Sequence, residues 1–225
     1  MSIVLLIILC LVLYKAQIEK DSVSNGFLAK YRTDAIKGFF IIVVFISHIK
    51  GYYEMVGANL SAWYDAAFFL PAKVFGQLMV VMFLFYSGYG VAESIKKKGD
   101  SYIRAIPKKR ILGTLVNFDV AVLIFAVVCL LLYREVSLQN FLLSLIGWSE
   151  MGNSNWYIFS IVMCYVFTFV AYSINKKLGG SFIWIFLFAY TILMSVFKGT
   201  WWYFRLYIRL SLLRIILMCF SLFVF

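Results

Sequence analysis

The sequence predicts an all-α protein, a polytopic transmembrane helix bundle of six or seven spans. Apolar residues make up 64% of the 225 residues and charged ones 14%, with mean hydropathy +0.93, whereas soluble domains carry about 25% charge. A soluble fold cannot bury that much apolar surface, but lipid solvates it. The apolar runs are also unbroken and mostly longer than the alternating segments of about ten residues that a barrel requires, so the backbone groups must be satisfied within helices. Finally, the basic residues concentrate in alternate connections, as the topology of a multi-span chain demands.

Residues 2–14 form the first apolar run. It is short for a span, no basic segment precedes it and no small-residue cleavage site follows it. It therefore reads as a tilted or thin first helix or an uncleaved anchor, in preference to a cleaved signal peptide. With the polar, basic stretch after it, it makes an N-terminal segment over 1–29, ahead of a membrane domain over 30–225.

The run 36–53 organises the chain. Arg32, Asp34 and Lys37 lead into nine uncharged residues, all large and apolar except Gly38, and then Ser47 and the single histidine, His48. Its β-branched and aromatic content alone would suit a buried strand, but the surrounding composition decides for a helix. Residues 54–72 read as a mixed loop whose Trp63 and Tyr64 suit a membrane interface. A span over 74–92 ends in Tyr86-Ser87-Gly88-Tyr89-Gly90, small residues that let helices approach closely. Residues 93–110 read as the most basic loop, with seven Lys/Arg against two acids.

The fourth run, 111–133, contains one acid, Asp119, which is costly in lipid unless it faces the bundle or a basic partner. Residues 134–155 form a polar connection ending in Asn153-Ser154-Asn155. A span over 156–174, a basic turn at Asn175-Lys176-Lys177 and a returning run over 182–197 follow. Trp201-Trp202-Tyr203 then forms a second interface-like cluster, and the last run, 206–225, carries Arg209 and Arg214. Placing 15–37, 93–110 and 175–178 in the cytoplasm puts 14 of the 21 Lys/Arg inside, against five in the outer connections.

The net charge of +11 does not imply nucleic acid, because the positive residues sit in short connections where they set topology and meet anionic lipid. Cys10, Cys129, Cys164 and Cys219 lie in apolar runs without CxxC spacing, so buried free thiols are expected, with no metal set.

On a helix, Lys37 and His48 are eleven positions apart, a rotation of about 1100°, or three turns plus about 20°, and a rise of about 16 Å. Both side chains then look to one side of the bundle at different depths, and a bound molecule fits between them. A neutral imidazole can take a proton from a hydroxyl attacking a carbonyl and return it to the leaving group. The structural alternative is a helix-to-helix hydrogen bond. Lys37 reads by default as a snorkelling anchor at the cytoplasmic boundary, with a cation that holds an anionic donor as the functional alternative. Arg32 and Asp34 fit a plain loop pair, and Arg104, Lys108, Lys109 and Arg110 fit both a positive-inside block and a phosphate-attracting one.

In order and spacing, several pieces resemble the acyltransferase 3 family of integral membrane O-acyltransferases. They are Arg32-Thr33-Asp34-Ala35-Ile36-Lys37-Gly38 leading to Ser47-His48, then Phe83-Leu84-Phe85-Tyr86-Ser87-Gly88-Tyr89, then the basic segment Tyr102 to Arg110 with its Arg and Pro, then Trp156-Tyr157, and finally Trp201-Trp202-Tyr203-Phe204. The resemblance covers about residues 30–210. It implies a bacterial plasma-membrane enzyme that moves an acyl group, usually acetyl from acetyl-CoA, onto a hydroxyl of an extracytoplasmic glycan acceptor. His48 and Lys37 would be catalytic, with Arg32, Arg104, Lys109 and Arg110 binding the acyl-CoA donor. A covalent route through Ser47 is disfavoured, because adjacent helical residues point about 100° apart. Family members usually have more spans, so the chain reads as a short or C-terminally truncated member whose exposed faces call for a partner chain or homo-oligomer. The competing expectations are an inactive membrane scaffold and a transporter of a glycan precursor.

Overall fold

The computed structural model describes residues 2–14, 30–55, 57, 63–132, 135–151 and 155–197, and every regular element among them is helical. In chain order these are α1 (Ser2–Leu13), α2 (Lys30–Met55), α3 (Trp63–Lys98), α4 (Asp100–Ile106), a π-helical turn (Pro107–Leu112), α5 (Gly113–Leu131), α6 (Leu138–Leu145), α7 (Trp156–Ile174) and α8 (Gly179–Phe197). Three stretches are long and apolar enough to cross a membrane: Leu78–Lys98, Asp100–Leu131 and Trp156–Ile174. Gly179–Tyr190 is a shorter apolar helix, and the chain is thus a helical membrane protein. The linker 15–29, Asn153-Ser154, the aromatic cluster after residue 200 and the run 206–225 with Arg209, Arg214 and Cys219 lie outside the described residues.

The chain divides into two compact units, Met1–Gly88 and Tyr89–Phe225. In the first unit α2 packs on α3. The ring of Phe40 meets Phe83 edge-on at 5.8 Å and lies 6.3 Å from Tyr86. Near the other end of α2, Gly76 lies against Ser47 so closely that a Cβ built on the glycine would overlap the serine Oγ and Cβ. The absent side chain is what lets the two backbones approach. Of the cluster Ser87-Gly88-Tyr89-Gly90, read as a place of close approach, Gly90 itself has open space: a Cβ there would meet nothing.

Two connections read as loops are in fact helical. α3 begins at Trp63, with the buried Asp65 in its first turn, and carries on through the basic stretch to Lys98. Both ends complement the helix dipole, with an acid in the first turn and Lys96, Lys97 and Lys98 in the last. Glu93 pairs with Lys96 and Lys97, each at 3.8 Å, in the i,i+3 and i,i+4 geometry that supports a helix. The break comes at Gly99 (φ 54°, ψ −134°), a conformation open almost only to glycine. Gly99→Ala is therefore expected to destabilise the fold by about 1–3 kcal/mol, read as a lowered thermal midpoint of the purified protein, although a methyl there would touch nothing.

The second unit is built on the continuous 32-residue stretch Asp100–Leu131. Pro107 has no N–H for the carbonyl one turn back, and the chain accommodates it in the single π turn before α-geometry resumes at Gly113. One face of this stretch, with Tyr102, Ile103, Ile106, Phe118, Val122 and Ala126, is buried. The exposed face changes character along its length. Ser101, Arg104, Lys108 and Lys109 come first, followed by Leu112, Val116, Val120, Leu123, Ile124, Val127 and Leu131. From Leu112 to Leu132 the helix rises about 30 Å, the thickness of a bilayer's hydrocarbon core. The apolar face of this stretch thus begins near Leu112, after the more polar α4 and π turn.

The connection after α5 contains α6, whose Phe141 and Leu145 join Phe118, Val122, Ala126 and Met151 in one apolar cluster. The loop behind it is held by Asn155, a buried residue whose side-chain amide donates to the Ser149 carbonyl. α7 and α8 form a tight helical hairpin. Asn175 Oδ1 accepts the amides of Lys177 (2.9 Å) and Leu178 (3.2 Å), fixing the turn. Ala171, Ile183 and Leu187 fill the interface beside the stacked rings of Phe167 and Phe186. Cys10, Cys129 and Cys164 are free thiols, but Cys10 is exposed on α1 where burial was expected. α1 turns nearly all of its described side chains outward, so nothing there encloses the thiol.

Candidate functional site

α2 carries Arg32, Lys37 and His48 on one unbroken helix, so the angular relation between Lys37 and His48 follows from helix geometry. Its buried residues, Thr33, Phe40, Val43 and Ile46, define the packed side. His48 lies away from them, on the exposed stripe Ile41, Phe45, His48 (i, i+4, i+7). The imidazole makes no hydrogen bond to a described residue.

Lys37 is half-buried and held locally. Its Nζ lies 3.4 Å from Asp34 Oδ1 and 5.7 Å from the centre of the Tyr86 ring. The exposed ion pair contributes little, of order 0–1 kcal/mol, and the ring face adds a comparable amount. What the pair does is fix direction: the ammonium is drawn toward α3 rather than out along the helix. Arg32 is similarly set against a tyrosine, donating from Nε to Tyr31 Oη at 2.8 Å.

The second unit holds Arg104, Lys109 and Arg110. Arg110 Nε donates to Tyr102 Oη at 2.9 Å, with the guanidinium carbon 5.9 Å from the ring centre. Tyr102 is buried, so the π turn anchors Arg110 firmly while Lys108 and Lys109 stay exposed. Arg104 is exposed on the face opposite Tyr102, Ile103 and Ile106. At the far end of the same unit's basic region, Lys176 bonds Asp100, tying the α7/α8 turn to the start of α4.

Tyr86 and Tyr102 are the positioning residues that sequence patterns did not single out. Tyr86 stands inside the Phe83 to Tyr89 motif, and its partner becomes visible only once α2 packs on α3. Tyr102 is eight residues from Arg110, a spacing that the π turn makes favourable. Asp119 is expected to face the bundle or a basic partner; its Oδ1 is enclosed and receives no hydrogen bond from any described residue. Among the described residues no group of His, Cys, Asp or Glu is gathered in metal-binding geometry.

Chemically, the first unit offers an exposed imidazole and a directed ammonium on one helix, and the second offers a cluster of cations. Comparison of the chain with protein-family models, with curated proteins and with solved structures found no match.

Proposed function

We propose that the chain is a multi-pass acyltransferase of the bacterial cell membrane, with six or seven spans, moving an acetyl group from acetyl-CoA to a hydroxyl of an extracytoplasmic glycan. The observation that carries this is the placement of Lys37 and His48 on one helix, about 16 Å apart in rise, within a sequence whose motifs run in the order of the acyltransferase 3 family. In the reaction His48 accepts the acceptor's hydroxyl proton as the oxygen attacks the thioester carbonyl. The carbon–sulfur bond breaks, the ester forms, and the imidazolium returns the proton to the departing thiolate. Lys37, directed by Asp34 and Tyr86, and Arg32 are the cations that the first unit offers to the donor, and Arg104, Lys109 and Arg110 are the phosphate-attracting cations of the second.

The purified chain in lipid nanodiscs, given acetyl-labelled acetyl-CoA and a hydroxyl-bearing glycan, is expected to yield labelled ester and free CoA thiol in equal amounts. Thiol release without ester, or neither product from protein that is folded and monodisperse, would remove the assignment. One observation favours a second reading, a non-catalytic membrane scaffold: the exposed stripe that bears His48 is otherwise apolar, and a ring facing only hydrocarbon performs no proton transfer.

A further inference from the structure

We infer that the exposed cationic stripe at the α3/α4 corner of the second unit is a binding surface for the headgroups of anionic phospholipids, centred on Arg104, Lys108 and Lys109. Lys98 and Lys177 stand at its edge. All five side chains are exposed, and none has an ionic or hydrogen-bonding partner among the described residues. Their neighbours differ. Lys96 and Lys97 pair with Glu93, Lys176 with Asp100, and Arg110 with Tyr102. The unit thus engages some of its cations internally and leaves a separate exposed set without partners among the described residues.

Register identifies what meets that surface. Arg104 and Lys108 lie on the same exposed face as Leu112 and Val116, and the π turn between them keeps the stripe continuous. That face becomes the apolar band of about 30 Å described above. Cations directly in line with a lipid-facing band stand where phosphate headgroups begin, outside the helix interior. The bond from Lys176 to Asp100 brings the α7/α8 turn, and with it Lys177, to the start of α4 beside Lys98. Cationic clusters of this kind at a span boundary attract anionic lipid.

This inference competes with the acyl-transfer proposal for Arg104 and Lys109, since CoA carries phosphate too, and the test separates the two sources. The full chain in neutral detergent is titrated with dioleoylphosphatidylglycerol and, separately, with dioleoylphosphatidylcholine, and bound lipid is counted by native mass spectrometry. The anionic lipid is expected to bind at least about tenfold more tightly, each cation contributing up to about fivefold. The preference should shrink at about 1 M salt, where the screening length falls to about 3 Å. Arg104→Gln/Lys108→Gln/Lys109→Gln should lose it, and Arg104→Lys/Lys108→Arg/Lys109→Arg should keep it. Equal retention of the two lipids, or an unchanged preference in the triple glutamine variant, would overturn the inference. So would displacement of bound phosphatidylglycerol by free CoA at equal phosphate concentration, which would make this a soluble-phosphate site.

Discussion

His48→Gln is expected to lower acyl transfer by about 10²–10⁴-fold, the contribution of a positioned general base. Glutamine keeps the size and polarity of the side chain but cannot accept a proton and give it back. Because the imidazole touches the reacting atoms only as bonds change, the loss should fall on kcat, with KM for acetyl-CoA little altered. His48 is exposed and bonded to no described residue, so stability should move by less than about 0.5 kcal/mol. Circular dichroism and size-exclusion profiles matching the parent protein make the kinetic loss interpretable. A variant with parental kcat would remove His48 from the reaction.

Gly76→Ala is expected to be the most disruptive small substitution in the first unit. The added methyl would occupy the space of the Ser47 side chain, and overpacking of this kind costs about 1–3 kcal/mol. Ser47 cannot easily turn away, since its Oγ already donates to the Val44 carbonyl at 2.7 Å and the overlap includes its Cβ. α2 and α3 would have to separate, and with them the Phe40 contacts to Phe83 and Tyr86 and the approach of Lys37 to the Tyr86 ring. The double variant Gly76→Ala/Ser47→Gly restores the space and should recover most of the lost stability, a coupling of about 1 kcal/mol or more between touching sites. Thermal unfolding of the four proteins in one detergent measures it. Additive effects would mean that the helices do not meet at this point.

What could be read in advance follows from where each residue type is constrained. The span Trp156–Ile174 was legible to its end residues, because Trp-Tyr and Asn-Lys-Lys mark both boundaries chemically. The helical relation of Lys37 to His48 was legible too, since it depends only on helical pitch. Which side of α2 is covered was not. A helix apolar on nearly all sides has no polar face to mark solvent, and the packed side is chosen by Gly76 meeting Ser47 and by Phe40 meeting Phe83. Residues 93–110 read as a loop on charge alone, yet the spacing of Glu93 with Lys96 and Lys97 is a helix-supporting pattern. The π turn at Pro107 was illegible for a different reason: a proline inside a helical run signals interruption, and only the packing of Tyr102 with Arg110 shows that the helix continues through it.

Because His48 is the chain's single histidine, carbethoxylation followed at the imidazole reports on that residue, and His48→Gln treated in parallel accounts for the tyrosine, lysine and cysteine side chains that the reagent also attacks. Transfer activity is expected to fall in step with the fraction of His48 modified, to return on treatment with hydroxylamine, and to be protected by prior binding of donor and acceptor together. Fully modified protein that still forms ester at the parental rate would contradict the proposal that this imidazole moves the proton.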